Sequence, residues 1–143
     1  MKKYLIIILM QLLVLSACGQ SGSTSNVIHL NEAQFKAKVF DYDKSETWSY
    51  KGDKPAIIDF YADWCRPCRE LAPTIEELAN EYEGEIYVYK VDVQKEQALA
   101  SAFGIQSIPT ILFVPQEGKP QVSQGALPKS QLKNIIKDVL KVE

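Results

Sequence analysis

Residues 59–69 read DFYADWCRPCR. An apolar stretch interrupted by a carboxylate runs into a short turn, and the turn delivers two cysteines, Cys65 and Cys68, separated by two residues. The 143-residue chain has only three cysteines, so this spacing asks for a reason. Such a pair is a zinc half-site, a redox couple or a chance disulfide. Structural zinc closes with four ligands, and the domain around the pair offers only His29 in addition, so no metal is expected. A bridge across so short a loop would restrain the unfolded chain very little, which makes it a poor staple. An exchangeable pair remains, and it suits a compartment in which disulfides form and persist.

The amino terminus points to such a compartment. MKKYLIIILMQLLVLSACGQSGSTSN has a positive start at Lys2 and Lys3, an apolar run from Tyr4 to Leu15, and then small residues, which is the layout of a secretory signal. The run falls short of the roughly 20 residues a bilayer-spanning helix needs. Leu15, Ser16, Ala17 and Cys18 resemble the lipobox of bacterial lipoproteins, in which the cysteine is acylated and becomes the first mature residue; ordinary signal cleavage nearby is the alternative. Residues 1–17 are therefore expected to be a lipoprotein signal peptide, 18–26 a lipidated flexible tether of Gly, Ser, Gln, Thr and Asn, and 27–143 one globular domain. Removing Lys2 and Lys3 takes the net charge from -2 to -4, and nothing in the domain forms a nucleic-acid footprint.

Within the domain, apolar runs bounded by turn residues predict strands at 27–30, 56–61, 86–91, 110–114 and 121–124. Helical spacing fills the gaps. Asn31 can cap a helix through Phe40; Leu71, Ile75, Leu78 and Tyr82 mark a second helix; 97–103 makes a third; and Pro128 opens a fourth that runs to Val142. Strands and helices alternate up to Val91, and two strands then flank the turn at 116–119. The expected architecture is α/β, a mixed central sheet of about five strands with helices on both faces. Ile57, Ile58 and Phe60 make an unbroken central strand apart from Asp59, and Lys90 likewise stands among apolar neighbours. The polar and aromatic stretch 39–54 is a long surface connection, and Trp48 and Tyr50 are expected to pin it to the domain. His29 stands alone and receives no role.

Position gives the cysteines different chemistry. Cys65 ends a strand-to-helix turn, where the free N–H groups and positive dipole end of a helix beginning at about Arg66 favour its thiolate. Arg66 and Arg69 add positive charge. Cys68, more sheltered inside the helix, can attack Cys65 once a mixed disulfide has formed.

Four motifs taken together resemble the thioredoxin family in order and spacing: FYADWCRPC, the Lys-Val-Asp of Lys90 to Asp92, Ile108-Pro109-Thr110, and Gly125-Ala126-Leu127. The resemblance covers nearly the whole domain. It implies a thioredoxin fold and a thiol:disulfide oxidoreductase, with Cys65 and Cys68 as the redox-active disulfide and Pro109 in cis beside them. It also implies a peptide groove formed by Ile108, Trp64, Pro67, Gly125 and Ala126. Asp59, paired with Lys90, would accept the proton of the resolving Cys68; a plain ion pair is the alternative. Disulfide-containing or thiol client proteins and a protein electron donor, a membrane thiol–disulfide transporter for example, would be the partners of a monomer that needs no cofactor and sits on the periplasmic side of a bacterial membrane. The chain departs from the family in Arg66, which replaces the usual glycine and pushes the couple toward oxidising behaviour, and in the length of the 39–54 connection. A reductase is the expected direction. An oxidase or isomerase, a redox-inert peptide-binding module and a copper-handling dithiol are the rivals.

Overall fold

The computed structural model describes residues 25–143; the expected signal peptide, the expected lipid acceptor Cys18 and the expected tether up to residue 24 lie outside the described residues. Five strands, β1 (Val27–His29), β2 (Ala56–Tyr61), β3 (Tyr87–Asp92), β4 (Thr110–Val114) and β5 (Gln121–Gln124), form one sheet in the order β1-β3-β2-β4-β5. β2 pairs in parallel with β3 and antiparallel with β4, so the sheet is mixed and β2 is its centre. This central place explains the apolar run: Ala56 to Phe60 are all buried, because helices cover both faces.

The helices are α1 (Glu32–Lys38), α2 (Arg66–Glu81), α3 (Gln97–Ala102) and α4 (Lys129–Ile135). Asn31 caps α1 in a reciprocal box with Gln34, each side chain accepting from the other residue's backbone N–H. Alternation along the strands divides the core into two layers. Ile57, Val88, Ile111 and Phe113 pack with Leu71, Ile75 and Leu78 of α2 and Leu132 of α4. Ile58, Phe60, Tyr89, Val91 and Leu112 pack on the other face with Phe35 of α1 and Leu99 of α3. By the same alternation Asp59 and Lys90, register partners on β2 and β3, belong to the face covered by α2.

Two helices depart from simple periodicity. Pro73 lies inside α2, where it removes a donor and crowds the carbonyl four residues back, at a cost of about 3 kcal/mol. The helix continues through it because Leu71, Ile75, Leu78 and Ala79 are all buried on one side. The C-terminal helix, expected as one α-helix to Val142, changes at Ile136 into a π turn that ends at Leu140, followed by Lys141 with φ 60°. Its buried residues, Leu132, Ile136 and Leu140, fall four apart. Four residues of α-helix overshoot one turn by about 40°, and the wider π turn takes back that drift, keeping all three on the sheet.

The connection from Val39 to Lys54 is ordered by its own aromatic residues. The Trp48 ring lies 4.8 Å from that of Phe40 and 6.4 Å from that of Phe103, between centroids. The Tyr50 hydroxyl donates to the Lys54 carbonyl at 2.7 Å, and Lys51 N–H returns to the Val39 carbonyl at 2.9 Å. Tyr50 lies so close to Gly52 that a Cβ there would overlap its hydroxyl.

Candidate active site

β2 ends at Tyr61, and buried Ala62 starts the turn to α2. The Ala62 carbonyl accepts from the Cys65 N–H at 3.1 Å, and the Arg69 guanidinium reaches back to the Asp63 carbonyl at 2.9 Å, so the helix holds its own entry loop. Cys65 is the N-cap of α2 and its sulfur accepts from the Cys68 N–H at 3.2 Å, satisfying one of the free donors of the first turn. Pro67 follows in that turn, where a missing N–H costs nothing. Cys65 and Cys68 form a disulfide with their Cα atoms 5.3 Å apart.

The second wall comes from the other half of the chain. The Ile108–Pro109 bond is cis, and the Cys65 sulfur lies 3.7 Å from the Ile108 carbonyl oxygen. The Pro109 carbonyl in turn accepts from the Gly125 N–H at 2.8 Å. Gly125 has φ 85°, a conformation a side chain would strain. Thus Cys65, Cys68, Ile108, Pro109 and Gly125, separated by up to 60 positions in the sequence, are joined by direct contacts. Around them Pro67 and Ala126 are exposed, and Trp64 is 63% exposed, a large apolar side chain in water beside the disulfide.

Two electrostatic expectations change. Sequence position makes Cys65 the open sulfur and Cys68 the sheltered one, but the residues are 4% and 2% exposed, so the disulfide form covers both. The asymmetry lies in the backbone: Cys65 caps the helix, and Cys68 is one turn inside it. Arg66 does not lean over Cys65. Its Nε donates to Glu70 Oε1 at 2.8 Å, with the Arg66 side chain 82% exposed, so carboxylate and water both screen its charge. The expected push toward oxidising behaviour is correspondingly weakened.

Beneath the helix, Asp59 is 1% exposed and neither carboxyl oxygen has a hydrogen-bond donor among the described residues. Burial pushes its carboxyl from the ordinary 3.8 up to about 6, and the Lys90 ammonium, 3.9 Å from Oδ2, opposes that rise. A carboxyl near 6 divides its time between acid and base close to neutral pH, which suits it to proton exchange. Sequence reading passes over Tyr61, whose ring centroid lies 4.2 Å from the Lys90 ammonium and whose side chain packs against the cysteine cluster. The signal is present all the same: Tyr61 stands two residues after Asp59 and so shares its face. Among the described residues no cluster of three His, Cys, Asp or Glu side chains is grouped to hold a metal ion.

A short-loop disulfide at a helix N-terminus, walled by an Ile-Pro carbonyl and backed by a buried carboxylate, defines a protein that exchanges thiols for disulfides. Comparison with known proteins makes the class specific. The thioredoxin family profile matches residues 26–138. The chain is similar to a thioredoxin of Borreliella burgdorferi, 56% identical over 111 residues that span 78% of this chain and 95% of that protein. A thioredoxin of Haemophilus influenzae is 38% identical over 112 residues, with 78% and 95% covered. Among solved structures, a chloroplastic thioredoxin z superposes with a TM-score of 0.68 at 28% identity, over 81% of this chain and 96% of that one. The chain belongs to the thioredoxin family and is a thiol:disulfide oxidoreductase.

Proposed function

We propose that this thioredoxin reduces disulfides of exported proteins, tethered to the periplasmic side of a bacterial membrane by lipid on Cys18. The observation that carries the reductive direction is Asp59, a buried carboxyl without hydrogen-bond donors on the sheet face that α2 covers. A reductase must deprotonate its second thiol in every turnover, and a group titrating near neutral pH serves that need. A strong oxidant instead relies on a heavily stabilised thiolate, and here Arg66, the cation next to Cys65 in the sequence, is paired with Glu70.

The reaction runs in two exchanges. The Cys65 thiolate attacks a client disulfide, forming a Cys65–client mixed disulfide and releasing one client sulfur as a thiolate that takes a proton from water. Cys68 then gives its proton to Asp59 and attacks the Cys65 sulfur. The Cys65–Cys68 bond forms, the second client sulfur leaves as a thiolate, and two electrons have passed to the client. A protein dithiol, such as that of a membrane thiol–disulfide transporter, returns the pair of electrons by the same exchange in reverse. Clients would lie as extended peptide along Trp64, Pro67, Ile108, Gly125 and Ala126. No cofactor enters, and the domain, 27–143, works as a monomer on the tether 18–26 after loss of the signal peptide 1–17.

Thiol trapping in intact cells tests the direction: Cys65 and Cys68 should be mainly reduced while the donor is present and oxidised when it is removed. A pair that stays oxidised in growing cells would identify an oxidase. Anchoring is tested separately by Cys18→Ser, which should move the protein from the membrane fraction to the soluble one. Equal retention of both forms after a salt wash, with no acyl mass on the mature N-terminus, would rule the anchor out.

A further inference from the structure

The sheet face beneath α2 carries a polar row of which the exchange reaction uses only a part. His29, Lys90 and Asp59 are register neighbours across β1, β3 and β2, and Tyr61 follows Asp59 on the same face. The Lys90 ammonium stands between two unlike partners: Asp59 Oδ2 at 3.9 Å and the Tyr61 ring at 4.2 Å from its centroid. The Tyr61 hydroxyl approaches His29 Nδ1 at 3.4 Å, and the two rings meet edge to face at 6.0 Å. Tyr61 also packs against the cluster of Ala62, Cys65 and Cys68. One ring therefore touches both the ammonium beside the base and the cluster that holds the dithiol.

Geometry shows why Lys90 needs that ring. A separation of 3.9 Å is too long for a hydrogen bond, so Asp59 attracts the ammonium without fixing its direction. Lys90 and Tyr61 also line a cavity of about 260 Å³ together with His29, Asp92, Lys95 and Glu96, large enough for several waters. A flexible ammonium beside such a cavity tends to turn toward water and away from a buried carboxyl. The face of an aromatic ring is a partner that holds a cation without offering a hydrogen-bond acceptor.

We propose that Tyr61 is a positioning residue for the resolution step, its ring holding the Lys90 ammonium beside Asp59 so that the carboxyl is available as a carboxylate when Cys68 gives up its proton. The inference rests on the reading of Asp59 as that base. Other charged and titratable groups face the same space: His29 from β1, Asp92 from β3, Lys95 and Glu96 from the segment after it, Asp63 from the loop and the cysteines from α2. Asp92 is already engaged, accepting from Gln94 N–H at 3.0 Å and pairing with Lys95 at 3.3 Å, which leaves Lys90 as the cation paired with Asp59.

The test is made on the full chain with two readouts: the carboxyl ¹³C titration of Asp59 by NMR in the reduced protein, and the pH profile of resolution measured from a preformed Cys65 mixed disulfide. Tyr61→Phe keeps the ring and should keep both midpoints. Tyr61→Leu removes it, and the Asp59 midpoint should rise by about 0.5 to 1 pH unit, the worth of a partly buried cation–π contact. Resolution below the midpoint should slow about three- to ten-fold, because that much less carboxylate is present. Should the leucine variant fail to fold, trifluorinating the ring of Tyr61→Phe keeps the shape and removes the attraction, and the same rise is expected. An Asp59 midpoint unmoved by loss or fluorination of the ring overturns the positioning role. A midpoint that rises while the resolution profile stays put overturns Asp59 as the base, and with it the link from Tyr61 to resolution.

Discussion

Replacing Asp59 by asparagine removes a charge the fold does not accommodate well, and the consequence for stability follows from its burial. Asp59 is 1% exposed, so solvent screening does little for it, and its carboxyl titrates at about 6 in the fold against 3.8 ordinarily. At about 1.4 kcal/mol per pH unit that gap corresponds to about 3 kcal/mol. The sign follows from proton uptake: between 3.8 and 6 the folded protein holds a proton that the unfolded chain has released, so the fold loses stability as pH rises. The contribution is fully present below 3.8 and gone above about 6. An asparagine at this position would not titrate, and it stands in for the protonated carboxyl. Urea unfolding of the oxidised proteins, followed by tryptophan fluorescence at a series of pH values from about 4 to 8, should therefore give two curves that nearly meet at the acid end. They should separate by about 2 to 3 kcal/mol at the alkaline end, with Asp59→Asn the more stable. At neutral pH the same variant should resolve mixed disulfides at least about ten-fold more slowly, since a general base commonly contributes 10² or more. Parallel stability curves, or a variant less stable than wild type at the alkaline end, would refute the claim that Asp59 is an unfavourably buried charge. Unchanged turnover would leave it a structural ion pair with Lys90.

Other substitutions separate the roles of the two cysteines and of Arg66. Cys68→Ser should accumulate mixed disulfides with clients and Cys65→Ser almost none, seen on non-reducing gels; faster alkylation of Cys68 than of Cys65 in the reduced protein would reverse their roles. Arg66→Gly should shift the midpoint potential by less than about 20 mV toward reducing, because Glu70 and water already screen that charge. Glu70→Gln should move it the opposite way by freeing Arg66, and glutathione-equilibrated titration of the three proteins checks both; a large shift in Arg66→Gly would mean that the arginine acts on Cys65 after all.

Much of the fold could be read from residues near one another in the chain. Alternation and unbroken apolar runs placed β2 at the centre of the sheet because a strand covered on both faces cannot carry a solvent side. Capping by Asn31 and the Cys-x-x-Cys turn were likewise local matters, decided by which backbone N–H groups lack partners at a helix start. The π turn at 136–140 was not legible, since it answers to the fit of Leu132, Ile136 and Leu140 against a sheet assembled from distant segments. The single helix marked by Leu71, Ile75, Leu78 and Tyr82 runs through Pro73, because burial of one face outweighs the hydrogen bond that the proline removes.

The division is sharpest at the active site. The kinds of residue that carry the chemistry were evident in DFYADWCRPCR and the Ile-Pro-Thr that follows later, because thiol pairs and buried acids are rare enough to stand out by type and spacing. Where their charges act was decided only by the assembled structure. Arg66 lies beside Cys65 in sequence, yet its long side chain turns along the helix to Glu70, where water and a carboxylate receive it. Lys90 and Tyr61 lie 29 positions apart, and parallel pairing of β2 with β3 brings the ammonium over the ring and beside Asp59. Electrostatic energy depends on distance and on the medium between charges, and neither is a property of position along the chain.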